Sequence, residues 1–196
     1  MCEKIWNKSN LITFLGLIFA TVGIAYCYTN KVAYAIVLLI LAGICDAFDG
    51  AWAKRTNKSN SSYGVELDSL ADIISSGILP VSICLSLGFN KTVDIIFYVI
   101  FIICGITRLA YYNVNSSDSN YFSGVPITFS TILIPLVYII TKSEWVYLIA
   151  LGALSVAYVS DIKIKKPNLK IKIVLSVIGI LAAILIIIFK FLQKGV

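Results

Sequence analysis

Seven apolar stretches recur along this chain, and most approach the roughly twenty residues that a helix needs to cross a bilayer. They are predicted at about 10–28, 32–54, 65–88, 92–113, 125–141, 145–160 and 171–193, with short polar connectors between them. The sixth is short and flanked by charge. In hydrocarbon every backbone N–H and C=O must find a partner within the protein, so such stretches form helices. The expected fold is an all-α polytopic transmembrane helix bundle, with six core helices plus a C-terminal hydrophobic helix. Residues 1–196 form one membrane domain, with the core at about 9–160 and the last helix at about 171–193. A water-soluble alternative fails on surface chemistry. The chain is 59% hydrophobic and 13% charged, whereas a soluble domain carries about 25% charged residues.

The net charge of +6 does not point to nucleic acid, and no nucleic-acid partner is expected. Basic residues gather near the N-terminus (Lys4, Lys8), in the second connector (Lys54, Arg55, Lys58) and in the sixth (Lys163, Lys165, Lys166, Lys170). These places share one side of an alternating bundle, while the other side holds Lys31, Lys91 and Lys142. The positive-inside rule therefore puts the N-terminus and the 54–64, 113–124 and 161–170 connectors in the cytoplasm of a multi-pass cell-membrane protein. Lys190 and Lys194 argue against simple export of the C-terminus, so the last run is expected to bend back or lie partly in the interface. The first run lacks a small-residue cleavage site and reads as a retained helix. Cys2, Cys27, Cys45, Cys84 and Cys104 form no CxxC pair and read as small apolar residues.

Half of the ten acidic residues fall between positions 46 and 72: Asp46, Asp49, Glu66, Asp68 and Asp72. The four aspartates lie inside predicted membrane helices, where a carboxylate is costly and usually functional. Asp46 and Asp49 are three apart and Asp68 and Asp72 four apart, so each pair occupies one helix face. Two consecutive antiparallel helices would bring the faces together near the cytoplasmic interface. Four carboxylates at close quarters call for cations between them, and oxygen ligands suit Mg²⁺ or Mn²⁺. With no histidine in the chain, acid–base and metal chemistry fall to other side chains. Gly50 and Ala53 leave backbone bare beside Asp49, Gly64 opens the third helix, and Lys54 or Arg55 stands at the rim. A metal-held pyrophosphate is a natural guest for such a site. A divalent-cation transporter would use the same carboxylates as a pathway, but transporters often carry internal repeats, and none is visible in this sequence.

The aspartates fall into a recognisable string. Asp46-Ala-Phe-Asp49-Gly50-Ala-Trp-Ala53-Lys54 is followed, after nine residues, by Gly64-Val-Glu-Leu-Asp68-Ser-Leu-Ala-Asp72. This resembles the signature of the CDP-alcohol phosphatidyltransferases, DxxDGxxAR and then GxxxDxxxD, at seven of its eight fixed positions. The departure is Lys54, where the family has arginine; lysine supplies charge without a bidentate fork. Within the family, Asp68–Pro80, Arg108–Asn113, Tyr121–Thr128 and Ser160–Pro167 resemble segments of bacterial and archaeal phosphatidylserine synthases.

The resemblance implies transfer of a phosphatidyl group from CDP-diacylglycerol to L-serine, releasing CMP, with two divalent ions, Mg²⁺ or Mn²⁺. Asp46, Asp49, Asp68 and Asp72 would ligate metal. Asp46, Asp49, Gly50, Ala53, Lys54, Gly64 and Asp68 would bind the CDP-lipid, and Asp72 would be the general base. Arg108, Asn113, Ser75 and Ser76 are candidates for binding the acceptor or its phosphate. Arg108 alternatively snorkels to the interface, and the serines alternatively bond their own backbone. Glycerol 3-phosphate or inositol phosphate as acceptor, and CDP-archaeol as donor, remain open within the same family. Bundles of this family often pair, so the resemblance allows a homodimer, while the sequence leaves the oligomeric state open. The polar 113–124 connector is expected to close over the site, hinged near Gly124 and Pro126.

Overall fold

A computed structural model of the chain describes residues 8–55, 62–115, 121–165 and 168–194. Among the described residues are seven helices: α1 (Lys8–Tyr28), α2 (Val32–Arg55), α3 (62–86), α4 (Thr92–Asn115), α5 (Ser130–Ile140), α6 (Glu144–Tyr158) and α7 (Leu169–Lys194). The all-α bundle thus appears with boundaries close to those expected. Five helices are long and apolar enough to cross a membrane. The segments Ile127–Ile140 and Glu144–Tyr158 are shorter, so the fifth stretch joins the sixth in falling below the length of a full crossing. Helix α5 begins only after Pro126 and a single 3₁₀ turn, Ile127–Phe129.

Tight reversals make successive helices antiparallel neighbours. Asn30 sits in the left-handed region at φ 56°, which asparagine tolerates better than most residues. The Lys31 N–H reaches the Tyr26 carbonyl at 2.9 Å, and the Asn30 N–H reaches that of Cys27 at 3.0 Å. This Schellman pattern satisfies the last carbonyls of α1 and turns the chain directly into α2. Gly88, at φ 91°, ends α3 in the same way, with the Phe89 N–H on the Cys84 carbonyl. At this same end, Lys91 pairs with Glu144 at 2.6 Å, and that carboxylate holds the Lys91 ammonium above its ordinary range.

Helix α3 contains a wider π segment, Ile73–Ile78, between two α-helical parts. Pro80 follows it and has no N–H to return to the preceding turn, where regular α geometry would pair it with the Ser76 carbonyl. That carbonyl instead accepts the Ser130 hydroxyl of α5 at 2.6 Å, both groups being buried. The irregular backbone is therefore satisfied by a neighbouring helix, as hydrocarbon demands. The largest fully buried apolar side chains include Ile36, Leu39, Leu79, Ile83, Phe101 and Leu151. Those of α2 and α3 lie toward the helix ends remote from the aspartates.

Two features differ from expectation. The last run neither bends back nor leaves the bundle: α7 lies antiparallel along α2. Lys172 meets Ala47, Gly179 lies against Ile40 and Ile44, and Lys190 sits over the Tyr34 ring at 3.6 Å. Most of its remaining surface is exposed apolar side chains, fit to face lipid. The second difference is a small antiparallel sheet, β1 (Tyr121–Ser123) with β2 (Lys163–Lys165). It joins the end of the 113–124 connector to the 161–170 connector. Gly124 continues the tie, donating to the Ile162 carbonyl at 2.9 Å. Its φ of 75° and the Tyr158 carbonyl, which would lie 2.6 Å from a Cβ there, both require glycine. The expected closing segment is thus anchored at both ends, by α4 and by this sheet. Its middle, 116–120, lies outside the described residues, as do Lys4, Lys58 and Lys166.

Candidate active site

The hairpin from α1 to α2 and the return along α3 place the four aspartates around one cleft. Asp46 and Asp49 lie on the second half of α2, and Asp68 and Asp72 lie on the first part of α3. Antiparallel packing pairs them by depth. The Asp46 and Asp72 carboxyl groups come within hydrogen-bonding reach of each other, and so do those of Asp49 and Asp68. One oxygen each from Asp46, Asp68 and Asp72 lies within 4.8 Å of the others. The three carboxylates would together supply oxygen ligands to one divalent ion such as Mg²⁺ or Mn²⁺. The donor set is all oxygen, buried or half-buried, and far richer in negative charge than a membrane interior tolerates without cations. These residues fit a divalent ion.

The cleft is open to its surroundings. Thr13, Gly16 and Leu17 form its α1 wall, Ala42 and Ala71 its small-residue sides, and Ser75 joins Asp72 along α3. Asp49 is 3% exposed. Its Oδ2 accepts the Thr13 hydroxyl at 2.7 Å, and its backbone carbonyl accepts the Ser9 hydroxyl at 3.1 Å. Helix α1 therefore orients a predicted ligand that α2 alone would leave free to rotate. Sequence reasoning missed Thr13. A signal was present, because Ser9 and Thr13 form a polar strip, one helical turn apart, on an otherwise apolar run.

The acceptor candidates separate. Arg108, 7% exposed, is buried and does not snorkel outward. Its guanidinium lies 5.3 Å from the Tyr112 ring centroid and within electrostatic reach of Asp72. Asn113 donates to Ser69 Oγ at 2.9 Å, tying the end of α4 to α3 one residue from Asp68. Ser75 faces the cleft, whereas Ser76 is fully buried and its carbonyl is held by Ser130. Gly64 is half-buried, one turn before Asp68. Gly50, Ala53 and Lys54 lie on the last turns of α2; their surroundings lie outside what is described. A residue from far along the chain also arrives: Lys172 of α7 donates to the Ala47 carbonyl at 3.0 Å, beside Asp46.

Comparison with known proteins agrees with this geometry. The family profile for CDP-alcohol phosphatidyltransferase matches residues 6–193. A CDP-diacylglycerol--serine O-phosphatidyltransferase of Helicobacter pylori is 31% identical over 173 residues, covering 82% of this chain and 72% of that protein. The Bacillus subtilis protein of the same name is 31% identical over 140 residues, or 70% and 77% of the two chains. Its namesake in Saccharomyces cerevisiae is 38% identical over 114 residues, or 53% of this chain and 41% of the yeast protein, so the match spans less than half of that relative. With four aspartates gathered around one cleft and a profile match over nearly the whole length, this chain belongs to the CDP-alcohol phosphatidyltransferase family of membrane enzymes.

Proposed function

We propose that this enzyme transfers the phosphatidyl group of CDP-diacylglycerol to the hydroxyl of L-serine, giving phosphatidylserine and CMP. The observation that carries the reading is the closure of the signature aspartates around one cleft walled by α1, α2 and α3. The serine acceptor is supported by the names of the bacterial and yeast relatives and by the burial of Arg108, a cation within the bundle.

Asp46, Asp49 and Asp68 would hold divalent ions, Mg²⁺ or Mn²⁺, with Asp72 on or beside them. When bound, these ions neutralise the pyrophosphate and the charge that develops on its oxygens. Thr13 fixes the carboxylate of Asp49. Asp72 receives the proton of the serine hydroxyl as that oxygen bonds to the phosphorus bearing diacylglycerol. The phosphoanhydride bond breaks on the opposite side, and CMP leaves with the bridging oxygen. Arg108 would take the serine carboxylate, which aims the hydroxyl at Asp72. Gly50, Ala53 and Lys54 would bind the CMP moiety and its phosphate, and Gly64 would admit the donor at the start of α3. Ser75 and Asn113 line the acceptor side. The site opens to the cytoplasm of a cell-membrane protein, where the basic connectors also lie.

The test is CMP release by the purified protein in nanodiscs with CDP-diacylglycerol and Mn²⁺ or Mg²⁺. Labelled serine, glycerol 3-phosphate and inositol phosphate are offered separately. Release coupled to serine alone is expected. Release coupled to another acceptor would keep the family chemistry and overturn the acceptor.

A further inference from the structure

Lys172 stands at the cytoplasmic end of α7, 125 positions along the chain from the carbonyl it touches. A lysine there ordinarily turns outward to the headgroups, as its exposed neighbour Lys170 does. Lys172 instead turns inward and is half-buried. Its ammonium donates to the carbonyl of Ala47, which lies between Asp46 and Asp49. Through that carbonyl its charge is held one residue along the chain from Asp46 and two from Asp49. Yet no ion pair joins it to an aspartate among the described residues. The carboxylates stay available to metal while the positive charge waits at their edge.

We propose that Lys172 is an anion-binding residue of the active site, contributed by the C-terminal helix, that recognises the pyrophosphate of the CDP-linked lipid. The proposal rests on the donor assigned above. Two divalent ions balance four carboxylates and leave the two negative charges of the pyrophosphate diester to be met by side chains. Lys172 supplies one positive charge from outside the signature. The bond to Ala47 holds the ammonium in place, so little side-chain entropy remains to be lost when the lipid arrives.

The test uses the full chain in nanodiscs and compares Lys172→Gln, Lys172→Met and Lys172→Arg. Gln keeps a donor for Ala47 and removes the charge. The Michaelis constant for CDP-diacylglycerol should rise roughly tenfold in Lys172→Gln, and Lys172→Arg should recover most of the loss. The Michaelis constant for serine should stay constant. Binding of Mn²⁺, read by electron spin resonance without lipid, should be unchanged or tighter, because a positive charge has left the neighbourhood of Asp46 and Asp68. A merely structural anchor predicts the opposite: metal and donor binding weaken together, and Gln is better tolerated than Met. That pattern overturns the proposal, as does an unchanged donor constant in both neutral variants. Should Lys172→Met fail to fold, Lys172→Gln carries the same expectation. Wild-type protein that releases no CMP from the CDP-lipid would overturn the donor assignment itself, a result distinguishable from loss of the Lys172 role alone.

Discussion

Replacing Thr13 with valine tests how the site is assembled across helices. Valine keeps the β-branched shape and removes the hydroxyl that meets Asp49 Oδ2 at 2.7 Å. The oxygen is buried, with Asp49 only 3% exposed, so water cannot simply replace the donor. A hydrogen bond to a charged group is worth about 1.5–3 kcal/mol. That cost falls on the ion-free and ion-bound states alike, so only the orienting part appears in metal affinity. Loss of a group that orients a ligand typically weakens metal binding about 10–100-fold, and the lower end applies because Asp46, Asp68 and Asp72 stay in place. The expected result is a rise of about tenfold in the Mn²⁺ concentration for half-maximal CMP release, with the serine Michaelis constant unchanged and Thr13→Ser close to wild type. Equal metal dependence in Thr13→Val and wild type would refute the argument that α1 orients the ligand.

Asp49→Asn and Asp68→Asn should each lower turnover by about 10²-fold or more, because each removes an anionic ligand itself, not merely a group that orients one; metal titration of CMP release checks this. Asp72→Asn should retain CDP-lipid binding while losing turnover, and equal loss of both would make Asp72 chiefly a ligand. Lys54→Arg should be tolerated, since it restores the family's residue and keeps the charge; steady-state assays at varied donor concentration read the effect. Ser130→Ala strands the Ser76 carbonyl at the π segment and should cost about 1–3 kcal/mol of stability, seen as a lower melting temperature in detergent.

The aspartates were legible because the physics acts within each helix. Spacings of three and four put Asp46 with Asp49 and Asp68 with Asp72 on common faces, whatever surrounds them. A short connector then leaves antiparallel packing as the simplest way to join the faces. Arg108 was legible for a related reason: an arginine within a membrane helix must either reach water or meet an anion. Only its neighbours decide between the two, and the structure buries it with its guanidinium 5.3 Å from the Tyr112 ring centroid.

Adjacent residues show where local reasoning stops. Ser75 and Ser76 looked equivalent in the sequence, yet one lines the cleft and the other is sealed against α5. The π segment turns this part of α3 differently from a regular helix, and spacing arguments assume regularity. The strand pairing of Tyr121–Ser123 with Lys163–Lys165 was equally hidden, since three-residue strands carry too little pattern to stand out.

The amino-acid sequence by itself determined the membrane class, the seven helices and the carboxylate faces. Each follows from solvation and helical period, which act over a few neighbouring residues. The tertiary structure alone decided that Thr13 would reach Asp49 across 36 positions and that Lys172 would reach Ala47 across 125. It also decided that the last helix would lie along α2 instead of bending back. Those outcomes depend on how helix faces meet inside the bundle, and apolar faces that look alike in sequence can meet lipid or protein with little to distinguish them until they pack.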